Sequence, residues 1–133
     1  MKVLIKQAHI VSSSSPFNGQ VKDVLIVDGL IAKIADTISE NAHELIEINH
    51  LHLSIGWMDI FSNFADPGYE QKETLESGAA AAAAGGFTDV MVVPNTNPAI
   101  SSKSQVEYIV GKAANLPVNI YPIAAVTKNA EGK

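Results

Sequence analysis

From Gly56 onward, apolar segments of strand character alternate with segments of helix character, and that order is the strongest constraint on the fold. Trp57–Phe64 reads as a buried strand. Glu73–Ala84 reads as a helix, because alanine is the best helix former and Gly85-Gly86 supplies a stop. Asp89–Val93 is a strand ending at Pro94. Ser101 or Ser102 caps a second helix running to about Ala114, and Val118–Val126 is a further strand. A β-α-β-α-β order predicts an α/β fold with a parallel sheet and crossover helices.

The first 55 residues keep a different rhythm. Val3-Leu4-Ile5, His9-Ile10-Val11, Asp23–Val27, Leu30–Ala35, Leu45–Ile48 and Leu51–Leu53 are short β-rich runs separated by turn signals. Asp28-Gly29 is a strong two-residue hairpin turn. Such short strands predict a small β-sandwich piece. The expected division is therefore residues 1–55 and residues 56–133. Three strands and two helices leave apolar sheet edges open, so a piece of a longer chain, or a chain needing a partner surface, is expected.

Composition narrows the function classes. Hydrophobic residues make up 47% and charged residues 17%, enough for a real core. A net charge of −5 argues against nucleic acid or an anionic membrane as partner, since phosphates need a basic patch. Lys2 and Lys6 interrupt the first apolar run, which lacks the features of a secretion signal, and the Ala79–Ala84 run is too short to span a bilayer. A cytoplasmic location is expected. With no cysteine, thiolate ligands and nucleophiles are excluded within this chain. All nine basic residues are lysines, so no arginine is available to fork onto a carboxylate.

Several ordered motifs resemble the dihydroorotase family of cyclic amidohydrolases: Asp66-Pro67-Gly68-Tyr69-Glu70, Lys72-Glu73-Thr74, Glu76-Ser77-Gly78, Ala83–Thr88 and Pro94-Asn95-Thr96-Asn97-Pro98. Weaker support comes from Asp23–Gly29, Ile31–Ile34 and Ala124–Lys128. The resemblance covers essentially the whole chain as the first third of a longer member. It implies the start of a (β/α)8 TIM-type barrel, preceded by a small β-sandwich subdomain. It also implies cyclic-amide hydrolysis in pyrimidine biosynthesis, with zinc as the family's metal.

Members of the family place a His-x-His pair at the end of the first barrel strand, followed two residues later by an arginine for the substrate carboxylate. Residues i and i+2 of a strand share a face, so two such histidines can reach one ion. Counting back from Pro67-Gly68, these positions are Phe61, Asn63 and Ala65, and the family's acidic residue before the proline is Asp66. Phenylalanine has no lone pair to donate and a neutral amide is a poor zinc ligand. Alanine cannot hold a carboxylate. No metal or cofactor is therefore expected in this chain. The resemblance makes Asn95 a substrate-binding position, or a vestige of one; a plain turn asparagine is the equal alternative.

The leading expectation is a catalytically silent dihydroorotase homologue acting as a structural or regulatory partner of aspartate transcarbamoylase, or as a homo-oligomer. The alternative is an active dihydroorotase, or a related allantoinase- or hydantoinase-like hydrolase, with a rearranged metal site.

Other residues carry plainer readings. His50-Leu51-His52 reads as two histidines on one face of a sandwich strand, able to take up metal only adventitiously. His9 and His43 are surface or edge residues, and Asp59 is structural. Glu70 is expected to help cap the helix that follows it. Nothing makes Lys128 a metal-bridging lysine, and Gly85-Gly86 lacks the spacing of a phosphate loop.

Overall fold

A ten-residue strand with one extra residue in its middle organises the first part of the chain. Strand β1 (Lys2–Val11) pairs antiparallel with β2 (Val21–Val27), which pairs antiparallel with β3 (Leu30–Ala35). Two short strands, β4 (Glu44–Glu47) and β5 (His52–Ser54), follow one another along the free edge of β1, both parallel to it. The β2–β3 turn is Asp28-Gly29 with φ of +51° and +82°, the two positive values a tight hairpin of this type requires.

Val3–Ile5 and His9–Val11 are thus one strand, interrupted by a bulge between Ile5 and Ala8. Gln7 sits in that bulge with φ +48°. The carboxylate of Asp23 explains how it is held. Its Oδ1 accepts from the Gln7 backbone N–H at 2.9 Å and from Gln7 Nε2 at 3.0 Å. Its Oδ2 accepts from the Ile38 N–H at 2.9 Å and from the Lys6 ammonium. Successive residues of β1 serve opposite faces: Ile5 packs with Ala8, Ile10 and Val24, while Leu4 packs with Leu25 and Ile38.

This is a computed structural model; it describes residues 1–132. The chain forms two compact units that meet in sequence between Ile55 and Gly56. The first holds a single five-stranded sheet, where the sequence suggested a sandwich piece.

In the second unit, β6 (Trp57–Ser62), β7 (Phe87–Val92) and β8 (Asn119–Pro122) form a parallel sheet in that order. Helix α1 (Leu75–Ala84) joins the first two strands and α2 (Lys103–Ala113) the last two. The expected α/β order is present, but the strand bounds differ: β6 stops at Ser62, two residues short of Phe64, β7 begins two residues before Asp89, and Val118–Val126 contributes only Asn119–Pro122.

Thr74 caps α1: its Oγ1 accepts from the Ser77 N–H at 3.1 Å, and Ser77 Oγ accepts from the Thr74 N–H at 3.0 Å. The chain leaves α1 through Gly86, whose φ of +84° suits glycine. Ser102 begins α2, with Gln105 Oε1 accepting its backbone N–H at 2.9 Å.

The core of this unit joins Val90, Val92 and Ile120 of the sheet to Leu75 and Ala79 of α1, Ile109 of α2, and Phe64, Ile100 and Val118. Gly78 of α1 lies against the Phe64 ring; a Cβ there would come within 2.7 Å of it. Residues of alternate parity on the sheet, Met58, Ile60 and Tyr121 among them, are exposed. No helix among the described residues is long and apolar enough to cross a membrane.

Candidate functional site

Strand β6 delivers Phe61 and Asn63 to the C-terminal edge of the parallel sheet. Ser62 and Phe64 are buried on the helix-covered side, whereas Phe61 and Asn63 are exposed, Phe61 by 75%. Both positions are exposed, with Ser62 between them and Phe64 after them buried, the pattern that residues i and i+2 on one face would give, although Ile60 before them is exposed as well. Getting there takes an extra residue, because Asp59 pairs with Val90 and Ser62 with Val92. Asp59 supports this irregularity from below. Its carboxylate accepts from the Phe61 N–H at 2.8 Å and from Ser62 Oγ at 2.9 Å. These two bonds, the first above all, hold the Asp59 carboxyl below its ordinary range, against a smaller opposing effect of burial.

Ala65 behaves differently. It is 7% exposed, packed beneath the turn, with its carbonyl accepting from the Tyr69 N–H at 2.9 Å. A long charged side chain here would need room that the packing does not leave. Neither Phe61, Asn63 nor Ala65 offers an imidazole or carboxylate, and among the described residues no three His, Asp or Glu side chains converge as a metal-holding group. The donor set at these positions does not fit the zinc that the resemblance implies.

Asn95 lies beyond the end of β7, next in the sheet to β6, so its loop leaves the same edge as Phe61 and Asn63. The two loops are bonded to each other. The Val93 N–H donates to the Ser62 carbonyl and the Asn97 N–H to the Pro67 carbonyl, both at 3.0 Å. Gly68, with φ +97°, lies so close to the second loop that a Cβ would sit 2.0 Å from the Asn97 carbonyl oxygen. The internal bond of the second loop is made by buried Thr96, whose hydroxyl donates to the Pro98 carbonyl at 2.8 Å. Asn95 itself is exposed.

The residue with most partners in the loop after β6 is Asp66, whose side chain is fully buried. Lys112 Nζ stands 2.5 Å from its Oδ2 and the Tyr108 hydroxyl 3.1 Å from its Oδ1. The Leu75 N–H, in the first turn of α1, points to the same carboxylate at 3.4 Å. Lys112 also stands 3.6 Å from Glu76 of α1. The Asp66 bond drives the Lys112 ammonium above its usual pKa, overcoming the opposite pull of burial. Sequence reading missed Tyr108 and Lys112; their only signal was an i, i+4 spacing on one helix face. Another unforeseen cluster joins β7 to β8. Asp89 accepts from Thr88 Oγ1 at 2.6 Å, Asn119 Nδ2 at 3.0 Å and the Tyr121 hydroxyl at 3.1 Å. Those bonds lower the Asp89 pKa and raise that of Tyr121.

Two readings need correction. Glu70 does not cap α1: its carboxylate turns back to accept from the Gly68 N–H at 2.9 Å, and Thr74 is the cap. His50 and His52 do not share a strand face. Strand β5 begins at His52, and His50 lies in the preceding turn with φ +61°, which breaks the pleat alternation. The neighbour of His52 is His9 across the β1–β5 pair, with ring centroids 5.1 Å apart. His43 is exposed, and its Nδ1 accepts from the Lys2 N–H at 2.9 Å.

Comparison with known proteins gives a consistent picture. The sequence profile of the family described as Dihydro-orotase-like matches residues 49–133. A dihydroorotase of Ruminiclostridium cellulolyticum is 39% identical over 134 residues, covering 100% of this chain and 31% of that protein. The dihydroorotase of Elusimicrobium minutum is 41% identical over 136 residues, covering 100% and 31%. That of Streptococcus pneumoniae is 40% identical over 131 residues, covering 98% and 31%. The chain thus spans 31% of the length of these relatives. Among solved structures, L-hydantoinase (dihydropyrimidinase) from Arthrobacter aurescens superposes with a TM-score of 0.80 at 23% identity, over 96% of this chain and 28% of that one. A D-hydantoinase superposes with a TM-score of 0.68 at 23% identity, over 97% and 29%.

Proposed function

The chain belongs to the dihydro-orotase-like family, and from that membership we propose that it is a catalytically silent dihydroorotase homologue serving pyrimidine biosynthesis in the cytoplasm. One observation carries the reading. Phe61 near the end of β6 and Asn63 just beyond it are both exposed at the positions where the family has its histidine pair, and the loop that follows keeps its packed Asp66-Pro67-Gly68 turn. Ligand chemistry is gone while the scaffold beneath it is retained. Without that pair, an ion would not be held tightly, nor its bound water brought toward a pKa of about 7.

In this reading the parallel sheet of the second unit, residues 56–133, is the start of a (β/α)8 barrel, and residues 1–55 are part of a β-sandwich subdomain. Asn95, on the loop bonded to the Asp66 turn, is what survives of a substrate site. The hydantoinase likeness, at 23% identity, is one of fold and brings no substrate with it.

The remaining role is structural. We place the protein beside aspartate transcarbamoylase, as a subunit that supports or regulates the preceding step. Two measurements test this on the protein as the cell makes it. Zinc content and dihydroorotate hydrolysis are expected at background; stoichiometric zinc with turnover would sink the reading. Aspartate transcarbamoylase is expected to co-purify, and its absence from gently isolated complexes would remove the partner.

A further inference from the structure

The stacked histidines of the first unit share no residue with the degenerate site. We propose that His9 and His52 form a two-imidazole site for a late first-row divalent ion, copper or nickel before zinc. His9 and His52 are directly opposed in the parallel β1–β5 register, and their rings stack at 5.1 Å with 26° between planes.

The hydrogen bonding of His52 decides which of its atoms is available. Its Nδ1 lies 2.8 Å from the His50 carbonyl oxygen, which can only accept. Nδ1 therefore carries the proton, which in the neutral ring leaves the lone pair on Nε2 of an exposed side chain. A backbone carbonyl on the far nitrogen is also the usual support of a metal-ligating imidazole, since it fixes ring and tautomer. The left-handed turn at His50, φ +61°, is what aims that carbonyl.

His9, by contrast, is anchored by its backbone, whose N–H donates to the Leu51 carbonyl at 2.8 Å, and no hydrogen bond from its ring is made among the described residues. Its ring can turn about χ2. Two nitrogens about 2.0–2.1 Å from one ion stand roughly 3–4 Å apart. One imidazole is held, and a turn of the other out of the 5.1 Å stack is the movement the proposal requires to bring both nitrogens to that span. Imidazole donors select borderline ions, and the order of affinity puts copper above nickel and zinc. Magnesium and calcium, which take oxygen ligands, are excluded. Water completes the shell, so the site stays open.

The test is calorimetric titration of the untagged chain with copper, nickel, zinc and magnesium salts. One equivalent of copper is expected to bind, nickel and zinc more weakly, and magnesium not at all. His9→Gln and His52→Gln should each weaken copper by at least about tenfold, the low end of what even an outer partner costs a metal site. His50→Asn, which keeps the left-handed turn, should leave binding in place. Circular dichroism checks that each variant folds. Copper electron paramagnetic resonance on the unmodified chain provides an independent readout, with nitrogen hyperfine structure from two imidazoles expected. Unchanged affinity in the His9→Gln/His52→Gln double variant, or a spectrum without two nitrogen ligands, overturns the proposal.

Discussion

Asp23 shows how one carboxylate can set the geometry of a strand. It is fully buried, and burial alone would raise its pKa. The Lys6 ammonium, the Gln7 and Ile38 backbone N–H groups and the Gln7 amide together outweigh that, holding it well below its ordinary 3.8. A folded-state pKa below the unfolded one means that ionised Asp23 favours folding. That contribution is complete above about pH 5, and fades as pH falls through 3.8 toward the lower folded value. Asp23→Ala should cost about 3 kcal/mol at neutral pH, because Lys6 loses its buried partner and the bulge its anchor. Urea midpoints at pH 7 and near pH 3 test both statements: the gap between parent and variant should narrow in acid. An equal gap at both pH values would assign the cost to packing.

Among the elements, α1, α2 and the loop after β6 are tied by a single polar knot. Asp66 lies in the loop, Tyr108 and Lys112 on α2, and the Leu75 N–H and Glu76 in the first turn of α1. Lys112→Met alone should cost about 3–5 kcal/mol, since it strands a fully buried carboxylate. Asp66→Asn/Lys112→Met should recover a large part of the loss, and a double-mutant cycle by chemical denaturation measures the coupling. Additive losses would mean that the pair is not acting as a unit. The knot was not legible in the sequence, because Asp66 and Lys112 are 46 residues apart and neither stands in a polar pattern that names the other. The elements themselves were legible. Alanine content, the serine cap at Ser101 or Ser102 and the glycine stop are local signals, and they gave both helices within a residue or two, although the Thr74 cap of α1 was missed. Strand ends were overrun, because Val118 and Ile123–Val126 are apolar for reasons other than pairing.

For the molecule as a whole, the candidate site was readable where spacing decided it and unreadable where side chains fold back. Phe61 and Asn63 are both exposed with Ser62 buried between them, in keeping with alternation, but nothing in the sequence showed that Ala65 is buried. This changes how the silent-enzyme reading is best challenged. Phe61→His/Asn63→His, placed in the protein as the cell makes it, is expected to raise zinc content without a large loss of stability, since both positions are exposed. Adding Ala65→Arg should lower the melting temperature. Zinc unchanged by the histidine pair would mean that Phe61 and Asn63 are not ligand positions. The histidines of the first unit illustrate the opposite failure. Their neighbours in sequence, His50 and His52, are parted by a left-handed turn, and pairing across strands joins His52 to a residue 43 positions away.

The fit of Gly68 against the Asn97 carbonyl bears on what this chain can lose and still fold. Its constraint is made of backbone on one side and the absence of a side chain on the other, so it is indifferent to what chemistry the neighbouring edge performs. Phe61 and Asn63 face outward and are free to drift. Mutational tolerance is therefore split residue by residue along one short segment. A lineage released from catalysis would shed its ligands first, and would keep the turn for as long as the protein has to fold at all.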